Sequence, residues 1–419
     1  MKVVIVGHGG REAAIAWRLS QSPGLEALVV TGHNPGWPEG VEVRAESKVQ
    51  DQVAVARSVG ADLVIVGPEG PLASGLADGL QDVGIPCFGP RRAAARLESS
   101  KAFAKDVMAA VGVPTAAAVV LDRNDPASVA AGRARLAKGD VVVKVDGLAA
   151  GKGVFVCRTG AEALAAMDGV WSGRFGAAAN RVVLEDRLEG PEVSLFGLTD
   201  GDRVVALPSA QDHKRLGDGD SGPNTGGMGA YSPCPLVPRE QAQELVERFH
   251  QPVIRELDRR GVPFRGVLFA GLMLTPDGPR VLEYNVRFGD PECQVLMALW
   301  QDDPLPWLLG AATGRLPPGR PEFADAAACC VVLASRGYPL SSEKGVPIPE
   351  PSASPGVVTF QAGTHRGEDG VLRTHGGRVL GITGVGPDLQ AARDRAYAAL
   401  PGWEFPGSQH RQDIGASAV

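Results

Sequence analysis

No two cysteines in this sequence stand at C-x-x-C spacing, and the six present (Cys87, Cys157, Cys234, Cys293, Cys329 and Cys330) are scattered along the chain. That pattern excludes a common structural zinc site and fits a reduced, cytosolic protein. Long hydrophobic runs are missing as well. Met1-Lys2 leads directly into the apolar run Val3–Val6, too short for a signal peptide, and the longest later run, Ala326 to Ala334, falls far below a membrane span. A soluble, cytoplasmic protein without a membrane partner is therefore expected. Net positive charge is also absent. The formal charge of -6 provides no general attraction to nucleic acid or anionic lipid, so any anionic ligand must be held by local groups. Lysine is scarce: nine lysines leave 33 arginines among the 42 basic residues. In so Arg-biased a chain, a lysine marks a place where a compact point charge on a flexible stem is preferred.

What is present describes an ordinary globular protein, 419 residues long with 44% hydrophobic and 21% charged residues, enough for two to four domains. Residues 1–100 alternate short apolar strands with helical segments, which implies a doubly wound parallel sheet with helices on both faces. The first strand-to-helix turn reads Gly7-His8-Gly9-Gly10-Arg11-Glu12. Such turns present backbone N–H groups at a positive helix end, where phosphate can sit. Glu12 occupies the third glycine's place in the dinucleotide pattern G-x-G-x-x-G, and no acidic residue follows the second strand for a ribose hydroxyl, which disfavours NAD(P). A small phosphorylated substrate or a purely structural turn is favoured instead. Gly67-Pro68-Glu69 lies at the same carboxyl edge, where open α/β sheets bind ligands.

Ser99-Ser100-Lys101 opens a helix that Gly112-Val113-Pro114 closes. Residues 115–190 read as a small β-rich unit. Within it, Val141–Val145 and Val154–Cys157 are strands around the glycine loop Asp146–Gly153, flanked by Lys144 and holding Lys152. The spacing is not that of a P-loop. The loop is either a mobile cover for a triphosphate or an exposed hairpin with incidental lysines. Residues 211–233 form a long polar, glycine-rich segment, too polar to pack as a core element and long enough to be functional. Its Asp212-His213-Lys214-Arg215 run suits anion handling. Gln241–Arg260 is expected to be one amphipathic helix.

The most informative stretch is Val281–Glu292, with alternating side chains that share a face in a strand. Glu283, Asn285 and Arg287 then project together. A carboxylate and an amide oxygen suit a hard divalent cation that keeps water and phosphate oxygens as its other ligands. The Arg fork suits a phosphoryl group. A salt-bridged polar strand face is the alternative, and Phe288-Gly289-Asp290-Pro291-Glu292 together with the upstream loops weighs against it. Residues 326–419 read as a small α+β domain.

These motifs identify a resemblance. Over essentially its whole length the chain resembles the phosphoribosylamine–glycine ligase (glycinamide ribonucleotide synthetase) family of the ATP-grasp superfamily. The likeness is carried by Gly9-Gly10-Arg11-Glu12, Gly67-Pro68-Glu69, Ser100-Lys101, Lys144 through Val154, Gln211 through Pro233, the Glu283 strand and Arg411-x-Asp413-Ile414-Gly415. It implies an N-terminal α/β domain at 1–100, an ATP-grasp domain at 101–325 with a lid at about 115–190, and a C-terminal α+β domain at 326–419. It implies an ATP-dependent ligation of glycine to 5-phospho-β-D-ribosylamine through glycyl phosphate, in purine biosynthesis, with Mg²⁺ or Mn²⁺ and no nucleic-acid partner, as a monomer or weak homodimer.

By motif match, Lys101, Lys144 and the Gly151-Lys152-Gly153 loop hold ATP phosphates. Glu185 and Leu188 offer backbone to adenine, and Glu192 takes the ribose. Glu283 and Asn285 carry the metal, while Arg287, with Lys144, neutralises the transferring phosphoryl. Gly9, Gly10, Glu69, Asp212, Lys214, Arg215, Thr225, Gly226, Gly227, Gly289 and Asp290 hold the amine substrates. Two departures stand out: His8 and Ala13 replace the family's usual Asn and His. The strand before Glu283, Phe269–Met273, also supplies no second acidic metal ligand. The competing readings are another ATP-grasp carboxylate–amine ligase or carboxylase, an NAD(P)-dependent oxidoreductase, and a catalytically dead homologue.

Overall fold

The computed structural model describes residues 1–148, 153–176 and 180–419. Its N-terminal unit is a parallel five-stranded sheet in the order Glu42–Val43, Ala27–Val30, Lys2–Val6, Leu63–Val66, Cys87–Phe88. The strands Val3–Val6 and Leu63–Val66 are apolar throughout and almost fully buried, as a sheet covered on both faces requires. The chain winds outward from Lys2–Val6 in one direction, then returns to its other side at Leu63–Val66. The turns after these two neighbouring strands, Gly7–Gly10 and Gly67–Glu69, therefore meet at the sheet's switch point. Between Gly67 and Gly84 the chain forms two helices, Glu69–Ala73 and Leu76–Asp82, divided at Gly75 with φ of +91°.

The central unit is an antiparallel sheet of Val204–Ala206, Glu192–Thr199, Gly266–Thr275 and Gly278–Asn285. The last two strands form a hairpin, with Thr275 opposite Gly278. The single helix expected at 241–260 is broken. Arg239–Phe249 and Gln251–Arg259 meet at buried His250, and Pro252 stands in the first turn of the second helix, where it cannot supply a backbone donor.

A third sheet, Ala118–Asp122, Arg181–Asp186, Val141–Val145 and Val154–Cys157, is antiparallel and closes over its own small core of Leu121, Leu136, Val143, Met167 and Leu184 among others. The remaining large sheet runs Gln211–Asp212, Gly229–Ser232, Ala327–Ala334, Arg378–Gly386, Val357–Gln361. Two of its strands come from the 211–233 segment, so one expectation is corrected. Gly229–Ser232 is fully buried, paired strand to strand with Ala328–Val331. The segment is polar at its two ends and apolar where it enters the sheet. The sheet formed mainly by residues beyond 325 is thus completed by strands that lie far before that point.

Candidate active site

The strand Gly278–Asn285 pairs with Gly266–Thr275 in regular register until Gly271, which opposes Glu283 while Leu272 opposes Val281. The extra residue, Leu282, forms a β-bulge, a local kink that frees its backbone from the ladder and re-aims the side chains beyond it. Its carbonyl accepts a hydrogen bond from Lys144 Nζ at 3.0 Å. Past the bulge Tyr284 and Val286 are buried on one side, and Arg287 Nη2 donates to Asn285 Oδ1 at 3.2 Å on the other. Burial alone would raise the Glu283 pKa, but Lys214, Lys101, Lys144 and Arg287 outweigh it and hold the carboxyl below its ordinary value. Glu283 and Asn285 thus present two hard oxygens side by side, one of them kept ionised. That donor set fits a divalent cation whose remaining ligands come from water and phosphate. Among the described residues no cluster of three or more His, Cys, Asp or Glu could hold a metal by itself.

Toward the strand Val141–Val145, Lys144 and Lys105 flank one buried carboxylate. Glu185 Oε2 lies 2.9 Å from Lys144 Nζ and its Oε1 lies 3.2 Å from Lys105 Nζ. Lys105 also donates to Thr115 Oγ1 at 2.8 Å and to the Ala116 carbonyl at 3.0 Å. Burial, with Lys144 adding to it against the pull of Glu185, pushes Lys105 down to about 8. Lys105 is absent from the motif match. A signal for it exists, since it is a rare lysine one helical turn past Lys101. Lys101 itself opens helix Lys101–Ala110, whose N-cap Ser100 accepts from the Phe103 N–H. Leu188 is half-buried just past strand Arg181–Asp186. Gly153 closes its hairpin by accepting from the Val145 N–H at 2.8 Å, whereas Gly151 and Lys152 lie outside the described residues. Glu192 pairs with Lys214. Burial opposes the Lys214 charge, but Glu192, Glu283 and Asp212 together raise its pKa.

The opposite side is assembled from four distant segments. Glu12 folds back to accept from the Gly9 N–H at 2.6 Å and from Arg11 Nε at 2.6 Å, so the carboxylate itself satisfies the first turn of the helix. Gly67 is required here, because a Cβ would stand 2.0 Å from Glu12 Oε1. Gly10 abuts Gln294, and Gly9 abuts Asp290. Arg11 Nη1 and Arg287 Nη1 both donate to the Phe288 carbonyl, at 3.0 and 3.1 Å. Arg287 also reaches Glu69 at 3.3 Å and Glu98 at 2.7 Å. From the C-terminal sheet, Arg378 donates to the carbonyls of Gly226 and Asp290 and lies 3.2 Å from Asp290 Oδ2. Burial would raise the Asp290 pKa, yet Arg378 and Arg11 hold it low.

Gly227, with φ of +113°, lets the chain pass so closely that a Cβ would meet Pro291 at 2.5 Å and Asp212 Oδ1 at 2.7 Å. Thr225 spends its hydroxyl on the Lys214 carbonyl and the Gly227 N–H. Gly289 leaves room for the Glu292 carboxylate, whose Oε1 accepts from Ser194 Oγ at 2.9 Å. Burial, reinforced by Glu292, pushes the Asp212 carboxyl well up. Asp212 Oδ1 and Gln294 Oε1 are buried acceptors with no partner among the described residues. Arg215 turns away, donating to the Gly222 carbonyl within its own hairpin. His213 is buried, and burial together with Arg411 lowers its pKa to about 4, so it stays neutral at physiological pH.

A glycine-rich turn at a parallel-sheet switch point, a small antiparallel sheet bearing Lys144, and a hairpin strand carrying carboxylate, amide and guanidinium stand together, and residues 99–293 place the chain in the ATP-grasp class. Biotin carboxylase from Campylobacter jejuni, at 14% identity, shares that fold with a TM-score of 0.73 over 98% of this chain and 92% of its own. Successive stretches match the N domain (residues 1–98), the ATP-grasp (A) domain (99–293) and the C domain (328–417) of phosphoribosylglycinamide synthetase. A Rhizobium meliloti protein named phosphoribosylamine–glycine ligase is 48% identical over all of this chain and 99% of its own. Its Streptomyces coelicolor namesake is 47% identical over the whole of both chains. The crystal structure of phosphoribosylamine–glycine ligase from Thermotoga maritima, 32% identical, superposes with a TM-score of 0.87 over 99% of this chain and 100% of that one. The chain belongs to the phosphoribosylglycinamide synthetase family.

Proposed function

We propose that this protein is an ATP-dependent carbon–nitrogen ligase that joins glycine to 5-phospho-β-D-ribosylamine, giving glycinamide ribonucleotide, ADP and phosphate in purine biosynthesis. The observation that carries the reading is the Glu283–Asn285–Arg287 face, set against Lys144 and Lys214 and joined to the N-terminal turn where Arg287 and Arg11 share the Phe288 carbonyl. Glycine's carboxylate is a poor acylating agent. Its oxygen first attacks the γ-phosphorus of ATP, breaking the bond to the β-phosphate oxygen, so that ADP leaves and glycyl phosphate forms. The ribosylamine nitrogen then attacks the glycyl carbonyl carbon, and phosphate departs with the bridging oxygen. Such transfers are carried by positioning and charge neutralisation, not by a protein nucleophile.

In this reading Lys144, Lys101 and the neighbouring Lys105 hold nucleotide phosphates, and the Gly151-Lys152-Gly153 loop covers them. Glu185 and Leu188 meet the base, and Glu192 meets the ribose. Glu283 and Asn285 hold Mg²⁺ or Mn²⁺, which, when bound, neutralises charge on the terminal phosphates. Arg287 neutralises the phosphoryl in flight. Gly9, Gly10, Glu69, Lys214, Thr225, Gly226, Gly227, Gly289 and Asp290 shape the amine side, and the buried oxygens of Asp212 and Gln294 suit N–H or O–H donors on the substrates. The protein works with small molecules, and none of its described helices is long and apolar enough to cross a membrane. A cytoplasmic monomer or weak homodimer is the assembly we propose.

Steady-state ADP formation with glycine and freshly generated phosphoribosylamine, against each omitted singly, tests the reading. Turnover that requires both is expected. Equal turnover with another carboxylate–amine pair would favour a different ligase of the same class.

A further inference from the structure

Glu98 stands in the last turn of helix Arg92–Ser99, where the aligned carbonyl dipoles disfavour a carboxylate. Its side chain is only 9% exposed. Partners at its two oxygens offset part of these costs, while burial still holds the carboxyl above its ordinary value. Oε2 accepts from the Val286 N–H at 2.8 Å, and Oε1 accepts from Arg287 Nη2 at 2.7 Å. Val286 is the first residue past the strand Gly278–Asn285, so its N–H has no place in the ladder. One carboxylate therefore fixes the main chain at one residue and the guanidinium at the next. The same Nη2 donates to Asn285 Oδ1 at 3.2 Å, so the grip on Arg287 also sets the spacing to Asn285. Glu69 touches Arg287 less closely, at 3.3 Å through Nε, and is 29% exposed.

Just beyond Glu98 the chain is fastened a second time. Ser100 Oγ and the Ala102 N–H both donate to Asp146 Oδ1, each at 3.0 Å. Asp146 directly follows strand Val141–Val145, which carries Lys144. The segment from Glu98 to Ala102 thus links the end of the Glu283 strand to the end of the Lys144 strand. Both oxygens of Glu98 are engaged within the protein.

We propose that Glu98 is a positioning residue for phosphoryl transfer, acting through Arg287; the inference rests on the ligase reading above. The test is a double-mutant cycle of Glu98→Gln, Arg287→Lys and both together, measuring kcat, the KM for ATP and glycine, and the thermal midpoint. The glutamine carbonyl still accepts from Val286, while the negative charge that faces Arg287 is lost. A merely structural role would lower the midpoint and leave kcat per folded molecule unchanged. Instead, kcat of Glu98→Gln should fall by about tenfold or more, because small misplacements at a reacting centre are costly. Its KM values should change by less than about twofold, and the double variant should be no more than about twofold slower than Arg287→Lys, as groups acting as one unit are non-additive. If Glu98→Gln folds poorly, the cycle is run with Glu98→Asp, whose carboxylate falls one methylene short, under the same criteria. A wild-type kcat in the variant, or losses that multiply in the double, would overturn the proposal. Failure of the wild-type protein to form ADP with glycine and the amine would overturn the ligase reading, and this inference with it.

Discussion

The two halves of the site are built on different principles. On the side we propose for the nucleotide phosphates, charged side chains from strands, a helix and a connecting turn compensate one another across a few ångströms: Lys144 and Lys105 on Glu185, Lys214 on Glu192, four cations around Glu283. On the opposite side, which we propose for the amine, the work is done by closeness. Gly9, Gly10, Gly67, Gly227 and Gly289 allow backbone from the N-terminal turn, the 211–233 segment and the Asp290 turn to converge, and Arg378 sews them together through carbonyls. The first half should fail through lost charge with the fold intact. The second should fail through lost space. That contrast can be broken by experiment.

The largest effect is expected for Glu283→Gln. One hard ligand loses its charge without loss of volume, so ADP formation should drop by roughly a hundredfold or more, with an unchanged thermal midpoint. Near-normal turnover would show that Glu283 carries no metal. A crossed pair of variants comes next. Lys144→Met should raise the KM for ATP by about tenfold, the loss of one charge-assisted contact, and leave the KM for the amine alone. Gly227→Ala should do the reverse and also lower the midpoint, since its φ of +113° and its contacts at 2.5 and 2.7 Å leave a methyl nowhere to go. If both variants raise the same KM, the two halves are not separable.

The smallest effect lies outside both halves and serves as their control. His250 is fully buried, and burial, opposed only in part by the backbone at Leu195 and Leu268, lowers its pKa from 6.5 to about 4. As pH falls from 6.5 the unfolded chain takes the proton first. Stability is therefore complete above pH 6.5 and is lost progressively toward pH 4, by an amount on the order of 3 kcal/mol. Buried His213 shifts the same way. Urea midpoints at pH 7 and 4.5 should converge for His250→Leu relative to the parent, with no change in either KM. An unchanged pH slope would show that His250 does not carry this loss.

The same contrast explains which parts of the molecule are legible in its sequence. Period-two alternation puts Glu283, Asn285 and Arg287 on one face, because side-chain direction along a strand is a local property. The hairpin turn and the parallel N-terminal sheet are legible for the same reason. The bulge at Leu282 is not, since it depends on the register of the neighbouring strand, and with it goes the carbonyl that Lys144 takes. Glu98 and Arg378 give no sequence signal. Each lies 88 or more residues from the partners it serves, an ordinary charged residue until the fold brings it in. The burial of Gly229–Ser232 escapes notice because a mean over a glycine-rich segment hides four residues that belong to a sheet. In the sequence Glu12 is a missing glycine, whereas in the fold its carboxylate takes the Gly9 N–H at the start of that helix.

The central claim is that the Glu283 face presents a terminal phosphate to glycine's carboxylate, so that an acyl phosphate is formed and then broken by the amine. Turnover with glycine labelled in both carboxylate oxygens with oxygen-18, and mass analysis of the released phosphate, tests this most directly. The account predicts one labelled oxygen in each phosphate. Unlabelled phosphate accompanied by product formation would contradict it.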